Sequence, residues 1–163
     1  MKSLRLLPVI VAAIFLFSPV RADPVTPTPA PGWVLNDVDG KPVNFSQFKG
    51  KVIVLDFWAT WCGPCRSEIP GYVKLQEKYR DKGLVIIGVS LDQAGPEVVK
   101  KFIGDFHLDY QVVMGDDAVA QAFGGVDGIP TTFIIDRTGK IRDKKIGAME
   151  TAEYEKVLLQ YLN

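Results

Sequence analysis

Hydrophobic and polar residues follow two different periods along this chain, and the places where the period changes mark out its elements. Val52-Ile-Val-Leu-Asp-Phe-Trp58 is an apolar run broken only by Asp56. A run that short and that apolar predicts a strand covered on both faces. Leu84-Val-Ile-Ile-Gly-Val89 predicts a second. Between them, residues 62–81 take a helical period: Ile69, Tyr72, Val73, Leu75 and Tyr79 share one broad face, with Lys74, Glu77, Lys78 and Arg80 elsewhere. Pro70 inside that stretch predicts a bend. Gly95-Pro96 opens a second helix carrying Val98, Val99, Phe102, Ile103 and Phe106. Val112-Val113-Met114 predicts a short strand and Asp117 to Phe123 a short helix. Thr131–Ile135 and Lys140–Ile146 pair as a hairpin across Asp136-Arg-Thr-Gly139, and Thr151–Leu162 closes the chain as a helix that Thr151 is expected to cap. Upstream, Val34-Leu35 and Val43-Asn-Phe45 form a hairpin turned at Asp39-Gly40. The order strand, helix, strand, helix, then hairpin and helix implies an α/β fold with a mixed central sheet flanked by helices on both faces.

The N-terminus reads differently. Lys2 and Arg5 precede the apolar stretch Leu6–Phe17, and Val20-Arg21-Ala22 places small residues where a signal peptidase cuts, so residues 1–22 are expected to be a signal peptide. An uncleaved membrane anchor over residues 4–20 is the competing reading, although the stretch is shorter than the roughly 20 residues a span requires. Either way the remainder is expected outside the cytoplasm. Residues 23–32 hold four prolines and predict an extended linker, with order beginning near Trp33 and one domain over 33–163. Loss of Lys2, Arg5 and Arg21 takes the 19 basic residues to 16 against 19 acidic. Nucleic-acid binding lacks its electrostatic footprint in such a chain.

Candidate chemistry sits where the first buried strand meets its helix. Cys62 and Cys65 are the only two cysteines, with two residues between them at a helix start, where the dipole and the free N–H groups favour a thiolate. As a staple, a bridge closing so short a loop removes only about 2 kcal/mol of unfolded-chain entropy. A zinc site has too few soft donors, with the single His107 remote in sequence. A redox pair in a βαβ setting fits best. Cys62 is then the attacking thiolate and Cys65, one turn further in, the resolving thiol. Gly63 lets another backbone approach, Pro64 stiffens the first turn, and Trp61 walls the site. Asp56, placed within a buried run, is expected beneath the helix start as a general base for Cys65. Glu68, three residues past Cys65, returns to the same side as a proton shuttle or a tuner of the thiols, or stands as a solvated helix carboxylate. Ile129-Pro130 opens the next strand, and residues alone leave that bond cis or trans.

Asp-Phe-Trp-Ala-Thr-Trp-Cys-Gly-Pro-Cys (56–65) and Gly-Ile-Pro-Thr-Thr-Phe-Ile-Ile-Asp (128–136) resemble the active-site and cis-proline segments of the thioredoxin superfamily, and more closely its exported TlpA/ResA-like branch. The resemblance runs from about Trp33 to the C-terminus and takes in the N-terminal β-hairpin and the helix-bearing insertion near 92–115. It implies a thioredoxin-like fold, a cis Ile129–Pro130 bond and a substrate-binding surface of Trp61, Gly63, Pro64, Ile129 and Pro130. Asp56 resembles the buried acid of cytoplasmic-type thioredoxins, while Glu68 resembles the carboxylate that ResA-like proteins place near their thiols; this chain carries both.

What the resemblance implies is a monomeric periplasmic thiol–disulfide oxidoreductase without a cofactor or metal. It would reduce disulfide-containing client proteins through a Cys62/Cys65 relay and draw electrons from a membrane thiol transporter of the CcdA/DsbD kind. Apocytochrome c thiols are one substrate class of that group, which points to cytochrome c maturation. The alternatives are a thiol oxidase, a peroxidase, whose Thr-x-x-Cys pattern is absent around Cys62, and a non-enzymatic metal-handling module of the same fold.

Overall fold

A computed structural model describes residues 27–162; the expected signal peptide and the first part of the linker lie outside the described residues. Strands β1 (Thr28–Pro29), β4 (Val52–Trp58), β5 (Leu84–Ser90), β6 (Gln111–Met114), β7 (Thr131–Ile135) and β8 (Lys140–Ile146) form one sheet in the order β1-β8-β7-β4-β5-β6. β4 runs parallel to β5, and β5 to β6, while β7 and β8 are antiparallel to their neighbours. A separate hairpin joins β2 (Val34–Asn36) to β3 (Pro42–Asn44). Its turn is held by the Asp37 carboxylate, which accepts from the N–H groups of Asp39 and Lys41, with Gly40 at a φ of 77° that favours glycine. The helices are α1 (Gly63–Tyr79), α2 (Pro96–Phe106), α3 (Asp117–Ala122) and α4 (Thr151–Leu162). This is the thioredoxin-like arrangement of a mixed sheet flanked by helices.

Strand parity decides what each layer contains. Successive side chains of β4 point to opposite faces. Ile53, Leu55 and Phe57 pack with Leu35 and Val43 of the hairpin and with Val119 and Phe123 at α3. Val52 and Val54 pack on the other side against Tyr72 and Leu75 of α1 and Tyr154 and Leu158 of α4. Trp58 continues that second face beneath Val99 and Phe102 of α2. Asp56 falls between Val54 and Trp58 and therefore faces α1 as well. Every residue of β4 is buried, as its central position requires.

α1 is fixed to the sheet by more than apolar contact. β6 pairs with β5 only from Ile87 onward, leaving the start of β5 without a ladder on that side. Gln76 of α1 fills the gap: its amide donates to the Leu84 carbonyl (3.0 Å) and its oxygen accepts from the Ile86 N–H (2.7 Å). Pro70 lies inside α1 and has no N–H for the Arg66 carbonyl one turn back.

Two expectations about the elements differ from the structure. Order begins before Trp33: Thr28 and Pro29 pair with Ile141 and Lys140, and Ala30 packs against the core. Proline is tolerated there because β1 is an edge strand. Thr151 does not cap α4. The first N–H bonds of that helix go to the Glu150 carbonyl, and the Thr151 side chain instead fills the space over Gly71 of α1.

Candidate active site

The chain leaves β4 at Trp58 and reaches α1 through Ala59–Cys62, a loop held in place by Asp92. The Asp92 carboxylate accepts from the Thr60 N–H (2.9 Å) and hydroxyl (2.6 Å), and from the Ser90 hydroxyl at the end of β5 (2.8 Å). Cys62 is then the N-cap of α1, its sulfur accepting from the Cys65 N–H at 3.2 Å. Gly63 and Pro64 form the first turn, where the missing proline N–H leaves nothing unsatisfied. A Cβ added at Gly63 would meet nothing, so that position presents open backbone.

Cys62 and Cys65 are joined in a disulfide. Cys62 is 5% exposed and Cys65 1%, so the outer sulfur is the one nearer the helix start. The Ile129–Pro130 bond is cis, and the Ile129 carbonyl lies 3.7 Å from the Cys62 sulfur. An oxidised sulfur has no proton to donate across that distance; a Cys62 thiol would. Trp61 stands 70% exposed beside the pair. A groove of about 550 Å³ runs from Trp61 and Ile129 towards the start of α3, with Asp92, Asp116, Asp117 and Asp127 in its walls and no lysine or arginine lining it among the described residues.

Beneath α1 lies a buried polar group. Asp56 is 3% exposed and sits opposite Thr132 of β7 in register. The Thr132 hydroxyl donates to its carboxylate (3.2 Å) and stands 3.3 Å from the Tyr72 hydroxyl. On the β5 side the register partner is Gly88, where an added Cβ would lie 2.8 Å from Nε1 of Trp58. That neighbour supplies no cation. Burial, reinforced by the negative charge of Glu68 and opposed by the Thr132 hydrogen bond, pushes Asp56 up to about 8. Glu68 is buried, which removes the reading of a solvated helix carboxylate. One of its oxygens accepts from the Met149 N–H (2.7 Å) just before α4. Burial raises its pKa, against the pull of that N–H, of Lys145 and of the Tyr72 hydroxyl.

Cys62, Cys65, Trp61 and the cis-proline loop thus converge at one end of the central strands, where β4 stops and β7 starts, with Asp56 and Glu68 behind. His107 ends α2 in a left-handed conformation. Three groups escaped the sequence reading: Asp92, the clamp on the active-site loop, and the hydroxyls of Thr132 and Tyr72. Tyr72 reads as one more apolar residue of its helix face, and only the pairing of β4 with β7 brings Thr132 to Asp56.

A model of the Redoxin family matches residues 25–158. The chain belongs to the Redoxin family. This Redoxin protein is 35% identical over 126 residues to the thiol-disulfide oxidoreductase ResA of Bacillus anthracis, covering 77% of this chain and 72% of that one. It is 34% identical over 131 residues to the thioredoxin-like protein YneN of Bacillus subtilis, with coverage of 79% and 76%. A crystal structure of a thiol:disulfide interchange protein of Chlorobium tepidum superposes with a TM-score of 0.77 at 35% identity, covering 85% of this chain and 98% of the other. The chain is a ResA-like member of the thioredoxin superfamily and a thiol–disulfide oxidoreductase with a Cys-x-x-Cys pair.

Proposed function

We propose that this protein is exported and reduces protein disulfides outside the cytoplasm, in a bacterial periplasm. The observation that carries the reading is the placement of Cys62 at the N-cap of α1 with the cis-proline carbonyl beside it, so that the outer sulfur meets both a helix dipole and a client. In the reduced form the Cys62 thiolate attacks one sulfur of the client disulfide, and the other client sulfur leaves as a thiolate. Cys65 then gives its proton to Asp56. Its thiolate attacks the Cys62 sulfur, breaks the mixed disulfide and releases the second client thiolate. Two electrons pass to the client, and the protein is left with the Cys62–Cys65 bridge. A membrane thiol transporter of the CcdA/DsbD kind resets it.

Trp61, Gly63, Pro64 and Ile129 form the client surface, with Pro130 buried behind Ile129, and the acidic groove beside them favours clients with basic residues near their disulfide. Cytochrome c maturation is one proposed use. The assay is insulin reduction with thiol capture. Cys62→Ser abolishes turnover, and Cys65→Ser accumulates mixed disulfides with clients in the protein's own compartment. Turnover by Cys62→Ser would sink the assignment. A strongly negative reduction potential against the glutathione couple is expected for a reductant; a potential near that of a strong oxidant would reverse the proposed direction.

A further inference from the structure

We propose that Tyr72 and Thr132 form a hydroxyl string that carries one proton between Asp56 and Glu68, and that the cleft beside Glu68 is where this proton reaches solvent. The inference rests on the reading of Asp56 as the base for Cys65.

Asp56 cannot exchange its proton through the client face. It is 3% exposed, and a docked client covers Trp61 and Ile129. Strand parity turns it the other way, towards Thr132, Tyr72 and the α1–α4 layer. The Thr132 hydroxyl has a single proton and spends it on Asp56, so in the contact with Thr132 the Tyr72 hydroxyl is the donor. The Tyr72 oxygen is then left free to accept. Glu68 lies one helical turn before Tyr72 on the same face of α1. Its Oε1 takes the Met149 N–H, while its Oε2 is buried with no hydrogen-bond partner among the described residues. A buried acceptor without a partner is costly, and a protonated Oε2 turned to the Tyr72 oxygen removes that cost.

The string has two arrangements. With Asp56 charged, Glu68 donates to Tyr72, Tyr72 to Thr132 and Thr132 to Asp56. With Asp56 protonated, every hydroxyl points the other way and Glu68 carries the charge. Passing between them breaks the O–H bonds of Glu68, Tyr72 and Thr132 and makes those of Tyr72, Thr132 and Asp56. One proton moves, and neither hydroxyl is left ionised. The groups around Asp56 are Thr132 from β7, Glu68 and Tyr72 from α1, Tyr154 from α4 and Tyr110 ahead of β6. Those around Glu68 are Tyr72, the Met149 N–H, Lys145 of β8, and Glu150 and Glu153 at the start of α4. Lys145, the Met149 N–H and the Tyr72 hydroxyl favour the charged form of Glu68, the last in the arrangement where Tyr72 donates to it. The cleft itself encloses about 260 Å³ and shares no lining residue with the groove beside Trp61. A proton therefore leaves Cys65 by a route that a bound client does not block.

The test follows release of the client from the mixed disulfide in the full protein by stopped flow between pH 5 and 9, with formate or imidazole as small proton carriers. Tyr72→Phe and Glu68→Ala are each expected to slow release by about tenfold or more at neutral pH while leaving mixed-disulfide formation unchanged. Their double variant is no slower than either alone, because both act on one path. Formate or imidazole restores the rate of Glu68→Ala, which a merely structural role would not allow. If Tyr72→Phe is poorly folded, Thr132→Val against Thr132→Ser replaces it, with only the serine variant keeping the wild-type pH profile. A wild-type rate and profile in Tyr72→Phe, or no rescue of Glu68→Ala, overturns the string. Asp56→Asn separates the two ideas: slow release there with normal release in Tyr72→Phe refutes the string alone, whereas normal release in Asp56→Asn refutes the base.

Discussion

A carboxylate in the middle of Val-Ile-Val-Leu-Asp-Phe-Trp is either misplaced or employed, and Asp56 is buried as employment requires. Its burial has a consequence for stability that does not depend on catalysis. The folded protein holds the Asp56 proton up to about 8, whereas an unfolded chain releases it near 3.8. Between those values the folded state binds more protons, so stability falls as pH rises through this window and the loss is complete above the folded value. Asp56→Asn removes the dependence. Between pH 5 and 9 the oxidised wild-type protein should lose about 4 kcal/mol through this group, and the variant should not. Urea unfolding at the two pH values reads the difference, and parallel pH profiles for both proteins would contradict it. Glu68 is less legible in the sequence. Its burial depends on the chain before α4 folding over it with the Met149 N–H, a contact between residues 81 positions apart that no local pattern announces.

The elements follow from periodicity wherever one face is apolar, and depart from it where a partner strand or helix decides. The hairpin β2–β3, the parallel pair β4–β5 and the long helix α1 all lie where the alternation of apolar and polar positions puts them. Val98 and Phe106, by contrast, continue the apolar period of α2 but remain exposed at 37% and 39%. Phe106 stacks on Phe102, and Arg66 of α1 lies over both rings. Gln76 is the opposite case, a polar residue buried because β5 outruns β6. Gln76→Leu keeps the packing but strands an N–H and a carbonyl on β5. It should cost about 2–4 kcal/mol in urea unfolding, with turnover per folded molecule unchanged. A loss below about 0.5 kcal/mol would mean that water replaces both bonds.

At the scale of the molecule, the sheet divides its labour between two ends. The disulfide, the cis-proline loop and the acidic groove share the end where β4 stops and β7 starts. The charge there predicts how clients arrive. For a peptide disulfide flanked by lysines, kcat/KM should fall several-fold between low and high salt, because screening removes the attraction at ordinary ionic strength. A peptide with neutral flanks should show little change, and Asp117→Asn with Asp127→Asn should flatten the dependence. Equal salt slopes for the two peptides would argue against it. The opposite end holds the Asp136–Gly139 turn and the start of β8, where Thr28 and Pro29 add themselves to the sheet. The polypeptide is thus stitched into the fold at the pole farthest from Cys62. Any leash running into Thr28, whether a membrane stem or a short free tail, pulls on the base of the molecule. The pole that carries Cys62 and Cys65 is left facing away from that leash, with its approaches unobstructed.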